Sequence, residues 1–261
     1  MTTQKDNQAR KIDRDTDLTA VLNEEIWPRI QRQTPTGVRP RLASTLILLD
    51  RTEGEPKVLM GRRNPASKFM PGKFVFPGGR VEPGDRKMNA AGALPKEVEF
   101  RLAKVLPRSA SLPRALALGS IRETFEETGI VVGARDMGAP ESAPDGEWRQ
   151  FAAQGFYPQL DNIHFIARAT TPPRQARRFD TVFLAADATD IVANVDGFIG
   201  PDRELVELVW VPMSKAHDLE LPLITSVVLH ELDRRIEAGM GHYLPAPWYY
   251  VGPRGWVRKE L

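Results

Sequence analysis

Apolar and polar positions along this chain change period several times, and each change predicts an element. Arg41 to Asp50 reads as a strand whose Leu46-Ile47-Leu48-Leu49 centre is continuously apolar, as expected where a sheet is covered on both faces. Lys57 to Arg62 predicts a second strand, and Phe74-Val75-Phe76 a short buried one stopped by Pro77. Lys96 to Leu106 puts Val98, Leu102 and Val105 on one helical stripe, with Pro107 and Pro113 behind it as breakers. Ile163 to Arg168, Thr181 to Ala185 and Leu205 to Val211 read as further strands, and Leu223 to Ile236 as an amphipathic helix. Residues 1–38 form a polar lead-in, with a short helix around Leu18 to Ile30 and a turn-rich stretch from Gln33 to Pro40. The alternation of element types predicts an α/β protein, an α/β/α sandwich around a mixed sheet. One domain is expected over residues 39–261, preceded by a linker or docking arm over 1–38. The tail from His242 to Trp256 brings together Tyr243, Trp248, Tyr249, Tyr250 and Trp256, which suit core packing or a subunit contact in a homodimer.

One more helix carries chemistry on one side. At about 100° per residue, Glu123, Glu126 and Glu127 fall within roughly a third of the circumference, while Leu118, Ile121 and Phe125 lie opposite. Like charges at such spacings cost an isolated helix a few tenths of a kcal/mol per pair. A divalent cation removes that cost, and hard oxygen ligands of this kind suit Mg²⁺ or Mn²⁺. Gly129 fits the left-handed position that ends a helix, so the carboxylates lie in its last two turns. Glu126-Glu127 alone would read as a solvated acidic face. Arg122, Gly129 and the upstream Phe76-Pro77-Gly78-Gly79 argue for a site instead, because the two glycines let backbone approach a ligand closely or take positive φ.

Together, Phe76-Pro77-Gly78-Gly79-Arg80-Val81-Glu82-Pro83-Gly84-Asp85 and Arg122-Glu123-Thr124-Phe125-Glu126-Glu127-Thr128-Gly129-Ile130 resemble the two halves of the Nudix box. The chain departs from that pattern twice: Asp85 stands where the family usually has Glu, and residues 86–121 replace a spacer of seven. The resemblance implies the Nudix fold over roughly Arg41 to Pro212, with an insertion at about 86–114. It also implies metal-dependent attack of water on a diphosphate that joins a nucleoside to another moiety. On that resemblance Glu126 and Glu127 would be metal ligands, and Glu123 a ligand or general base oriented by Arg122. Gly79 would offer its carbonyl, and Asp85 would be the outer acid. A later acid, Asp202, Glu204 or Glu207, serves as base in some members. The interrupted box, with Gly61-Arg62-Arg63, Phe69-Met70-Pro71-Gly72 and Arg177-Arg178-Phe179-Asp180-Thr181, looks like the subgroup that includes peroxisomal coenzyme A diphosphatases. Coenzyme A or an acyl-coenzyme A is then the implied substrate, with Arg62, Arg63, Arg177 and Arg178, and also Lys68 and Lys73, as candidates to hold its 3′-phosphate. An ADP-ribose or ADP-sugar diphosphatase is the enzymatic alternative. A Nudix-fold module that binds a nucleotide or a protein without catalysis is the other.

Composition narrows the field. With 36 Lys and Arg against 34 Asp and Glu, the net charge of +2 gives no reason to expect a nucleic-acid partner, while small polyanionic substrates remain compatible. The absence of cysteine excludes disulfides, thiolate zinc sites and cysteine nucleophiles. No apolar run is long enough to span a membrane, and Met1 to Asp17 mixes both charges, so neither a membrane nor a leader is expected and a cytoplasmic location is. Gly72-Lys73 is followed by Phe74 and is no Walker A loop. The four histidines lack the spacing of a zinc-binding helix, and no Gly-x-Ser-x-Gly elbow is present.

Overall fold

The computed structural model describes residues 16–34, 36–106 and 109–261. The charged lead-in before Thr16 and the breaker read at Pro107 lie outside the described residues.

In chain order the strands are β1 (Arg41–Asp50), β2 (Lys57–Arg63), β3 (Phe74–Val75), β4 (Gly78–Arg80), β5 (Ile130–Ala134), β6 (Tyr157–Pro158), β7 (His164–Thr170), β8 (Phe179–Asp187), β9 (Ile191–Asn194), β10 (Leu205–Pro212), β11 (Pro247–Gly252) and β12 (Gly255–Glu260). The helices are α1 (Leu18–Val21), α2 (Trp27–Gln31), α3 (Lys96–Val105), α4 (Leu112–Thr128), α5 (Glu147–Ala152), α6 (Met213–Ala216) and α7 (Leu223–Glu237).

The main sheet runs β10-β2-β1-β8-β7-β11-β12, with β3 added to β2 and β4 to β1, and β6-β5-β9 form a small second sheet. The main sheet is mixed: β1 pairs parallel with β8 and β7 with β11, while β2 pairs antiparallel with β1 and β10. The unbroken apolar run of β1 follows from its place at the centre. Leu46 and Leu48 face one core with Leu116, Ile121 and Phe125 of α4, Val98 and Leu102 of α3, and Val131 of β5. Ile47 and Leu49 face a second core with Val227, Val228 and Leu232 of α7 and Leu18, Leu22 and Ile30 of the lead-in. Successive side chains of a strand point to opposite faces, so both faces must be apolar. The expected α/β/α layering is observed.

One edge of β1 is shared. Its first half pairs with β4, from Ala43↔Arg80 to Thr45↔Gly78, and its end pairs with β2 through Leu49↔Val58 and Asp50↔Lys57. The opposite edge is held by β8 in continuous register from Arg41↔Phe179 to Leu49↔Asp187. The two partners on the first edge therefore diverge, and the candidate site lies where they part.

The lead-in helix is docked rather than free. α1 and α2 are joined by a π-helical turn over Leu22–Ile26, which precedes Pro28, a residue with no N–H to extend the ladder. Within that turn the Asn23 side chain accepts from Trp256 N (2.7 Å) and donates to Trp256 O (3.1 Å). The aromatic tail forms the β11–β12 hairpin: Tyr249 is fully buried, Trp248 lies over the Arg168 guanidinium at 4.3 Å, and Tyr243 is exposed. Pro113 corrects its expected role. It occupies the first turn of α4, where no N–H is needed, and so opens that helix instead of closing α3.

Candidate active site

Helix α4 carries the acidic face, and most of its other side chains are buried. It ends as its sequence requires: Gly129 takes φ 76°, and its N–H returns to Phe125 O at 2.8 Å. Arg122, 2% exposed, is the hub of the site. Its Nε donates to Asp85 Oδ1 at 2.8 Å, Nη1 to Glu126 Oε2 at 2.9 Å, and Nη2 to Glu123 Oε1 at 3.0 Å and Arg80 O at 2.8 Å. One guanidinium fork thus sets the rotamers of two carboxylates and ties α4 to β4, the strand that holds Gly78-Gly79.

The contact between Asp85 and Arg122 spans residues 86–121, and that segment closes on itself. Arg86 Nη1 donates to Ser109 Oγ (3.0 Å) and Ser111 Oγ (2.7 Å), and Arg114 Nη2 donates to Met88 O (2.5 Å). Asp85 has no exposure and spends both oxygens internally. Oδ1 accepts from Arg122 and from Trp148 Nε1 (2.8 Å), while Oδ2 accepts from Glu82 N (2.7 Å) and, at 3.3 Å, from Arg122 Nη2. It does not line the cavity that receives the three glutamates.

That cavity has a volume of about 440 Å³. It is lined by Gly78, Gly79, Glu82, Glu123, Glu126 and Glu127, and also by Arg63, Phe69, Arg177, Phe179 and Glu204. A second cavity of about 360 Å³ adjoins it, sharing Arg63, Phe69, Arg177 and Glu204 and adding Lys68 and Asp202. Phe69 and Phe179 pack with ring centroids 6.3 Å apart, and the Arg177 guanidinium sits 5.9 Å from the Phe69 ring. Of the four expected substrate arginines, Arg63 and Arg177 reach the cavity and two do not. Arg62 turns to the other face of β2 and pairs with Glu207 at 2.7 Å, and Arg178 donates to Thr171 O and Val38 O. Among the later acids, Glu204 lines the cavity and pairs with Arg63 at 2.8 Å, Asp202 lines the adjoining one, and Glu207 is held by Arg62.

The electrostatics suit a cation. Burial pushes Glu123 up to about 7, with Glu126 adding to the shift and Arg122 opposing it. Burial also raises Glu126, aided by Glu147, and Glu127, buried beside Glu204 and Glu123, lies well above the usual carboxylate range. Only Gly78 N, at 3.3 Å, donates to Glu127 among the described residues. Three hard-oxygen groups crowd together with their negative charge incompletely balanced, which fits a divalent ion such as Mg²⁺ or Mn²⁺. Gly79 completes the fit: a Cβ there would stand 2.5 Å from the Glu123 carboxylate, so only glycine leaves the backbone this close.

Two contributors escape sequence reasoning. Glu82 faces the cavity, and its only signal is its place inside the first glycine-rich fragment. Trp148, from α5, has no local signal, because its bond to Asp85 joins segments distant in the chain.

No family model matches the chain. A curated Caenorhabditis elegans protein, provisionally named nudix hydrolase 7, is 31% identical over an alignment of 152 residues that covers 55% of this chain. The aligned part spans 43% of that relative's length. Among solved structures, a NUDIX hydrolase from Alicyclobacillus acidocaldarius superposes with a TM-score of 0.55 at 25% identity, covering 74% of this chain and 91% of that one. The NUDIX domain of Shewanella oneidensis NrtR, determined with ADP ribose, matches at a TM-score of 0.41 and 12% identity over 80% of this chain and 97% of that one, too distant to carry weight. The described residues contain no helix long and apolar enough to cross a membrane. The mixed sheet, its covering helices and the similarity to the Alicyclobacillus structure together establish that this chain has the Nudix fold.

Proposed function

We propose that the chain hydrolyses the diphosphate linkage of a nucleoside diphosphate joined to another moiety, with coenzyme A or an acyl-coenzyme A as substrate. The products are 3′,5′-ADP and the corresponding 4′-phosphopantetheine. One observation carries the reading: the carboxylate face of α4 and Gly78-Gly79 line the same cavity as Arg63, Arg177 and the Phe69 and Phe179 rings. The adjoining cavity with Lys68 extends the groove, as a long substrate with a further phosphate requires. Interruption of the box by residues 86–121 supports the same subgroup.

Glu126 and Glu127 would hold the divalent ion, with the Gly79 carbonyl beside them. When bound, the ion neutralises diphosphate oxygens and makes the attacking water more acidic. Glu123, pushed up to about 7, accepts that water's proton as its oxygen bonds to phosphorus, and the bridging P–O bond breaks to leave a phosphate oxyanion. Arg122 orients Glu123 and Glu126, and Asp85 orients Arg122, so Asp85 acts on the geometry instead of on the ion. Arg177, with no carboxylate partner among the described residues, is free to take a substrate phosphate while resting on Phe69.

The test is a substrate panel of coenzyme A, acyl-coenzyme A, ADP-ribose, NADH and dinucleoside polyphosphates with Mg²⁺ or Mn²⁺, read by mass spectrometry. Release of 3′,5′-ADP supports the proposal, and AMP with a sugar phosphate moves the assignment to ADP-sugars. Absence of turnover with retained ligand binding favours a binding module.

A further inference from the structure

A second group of metal-ligating side chains lies on the other side of the sheet, at the junction of α6 and α7. His230 and Asp233 are one helical turn apart on α7 and share a face, and His217 follows α6 directly. Their ligand atoms all lie within 4.8 Å of one another. His217 Nε2 and Asp233 Oδ2 are 2.7 Å apart, and the two imidazole rings stand 4.3 Å centre to centre.

The packing leaves this cluster unfinished. His230 is 3% exposed, and its buried Nδ1 has no hydrogen-bond partner among the described residues, nor has Nδ1 of His217. Unpartnered buried nitrogens are costly, and a structural histidine pair would normally be satisfied by backbone or water. Burial lowers His230 to about 4, so its ring is neutral with a lone pair to give. His164 and His242 also stack, at 4.2 Å, but no carboxylate joins them in such a group among the described residues.

We infer that His217, His230 and Asp233 form a binding site for a borderline transition ion of the Zn²⁺ type, separate from the oxygen-ligand face of α4. Two imidazoles and a carboxylate are the donors such an ion prefers, with a fourth position left for water. Ligand bonds of about 2.0–2.1 Å in a tetrahedron place donor atoms about 3.3 Å apart. Modest opening of the His217–Asp233 pair, with release of its shared proton, therefore admits the ion. The helix that carries His230 and Asp233 also reaches the candidate active cavity. Ile224 and Thr225, from the first turn of α7, line that cavity, and Glu220 in the preceding turn accepts from Phe74 N at 2.9 Å.

Co²⁺ titration of the metal-stripped chain of 261 residues in excess Mg²⁺ tests the site, since Mg²⁺ occupies oxygen sites and four-coordinate nitrogen-ligated Co²⁺ has an intense visible band. One equivalent of Co²⁺ should develop the band and one equivalent of Zn²⁺ should remove it. His217→Gln and His230→Gln should each abolish it with unchanged far-ultraviolet circular dichroism, while His242→Gln keeps it. If His230→Gln fails to fold, the partly exposed His217 decides. No band in the unsubstituted protein, or a band that survives His217→Gln, overturns the inference.

Discussion

At the scale of single residues, the acidic face separates binding an ion from holding the fold. Glu126 is 44% exposed at its side chain, so Glu126→Gln should leave the circular dichroism spectrum unchanged while lowering turnover by about 10²-fold or more. Near-native turnover would remove it from the metal site. Asp85 should behave in the opposite way, because its partner Arg122 is 2% exposed. Asp85→Ala takes the most deeply buried carboxylate from Arg122 and leaves Trp148 Nε1 and Glu82 N without their acceptor, and should cost roughly 3–5 kcal/mol, read from the denaturant midpoint. A midpoint within experimental error of the unsubstituted protein would refute that role. Gly79→Ala sets a methyl group 2.5 Å from the Glu123 carboxylate, so the expected result is a folded protein with weakened Mg²⁺ binding by calorimetry.

At the scale of elements, helix α4 and strand β1 carry different duties. Leu48 is 1% exposed between the sheet and α4, and Leu48→Ala should cost about 2–5 kcal/mol of stability wherever the surrounding core fails to collapse. The elements legible in the sequence are those whose period survives alone: β1 from its apolar run, α4 from its acidic and apolar faces, α7 from its stripe. Those that were not legible depend on distant partners. The β11–β12 hairpin is a strand pair because β7 offers it an edge, and α5 is needed because Trp148 reaches Asp85. The site divides in the same way. Glu123, Glu126 and Glu127 follow from helical spacing, whereas the choice of Arg63 over Arg62 is set by which face of β2 meets the cavity, and that depends on strand register.

For the whole molecule, the crowded carboxylates tie stability to pH and to cations. Glu123 lies near 7 when folded against 4.5 when unperturbed. The unfolded chain therefore gives up this proton first, and the group's cost to the folded state is absent below about pH 4.5, grows through the interval and is complete above about 7. The increase in melting temperature on adding Mg²⁺ should accordingly be larger near about pH 7.5 than near about pH 5, and Glu123→Gln should flatten the contrast. Equal increments at both pH values would show that this carboxylate does not couple to the ion.

The divided edge of β1 has an evolutionary consequence. Gly78-Gly79 hang from one half of that strand, and Arg63 with the loop to Phe69 follows from β2, which pairs with its other end. The groups proposed for reaction chemistry and for substrate choice are thus suspended from one beam by separate attachments, with β8 along its opposite edge. On the proposed function, mutations in β2, β3 and their loop would change which molecule enters while Gly78-Gly79 and the α4 carboxylates keep their place. A fold arranged in this way can diversify its substrates without rebuilding its chemistry.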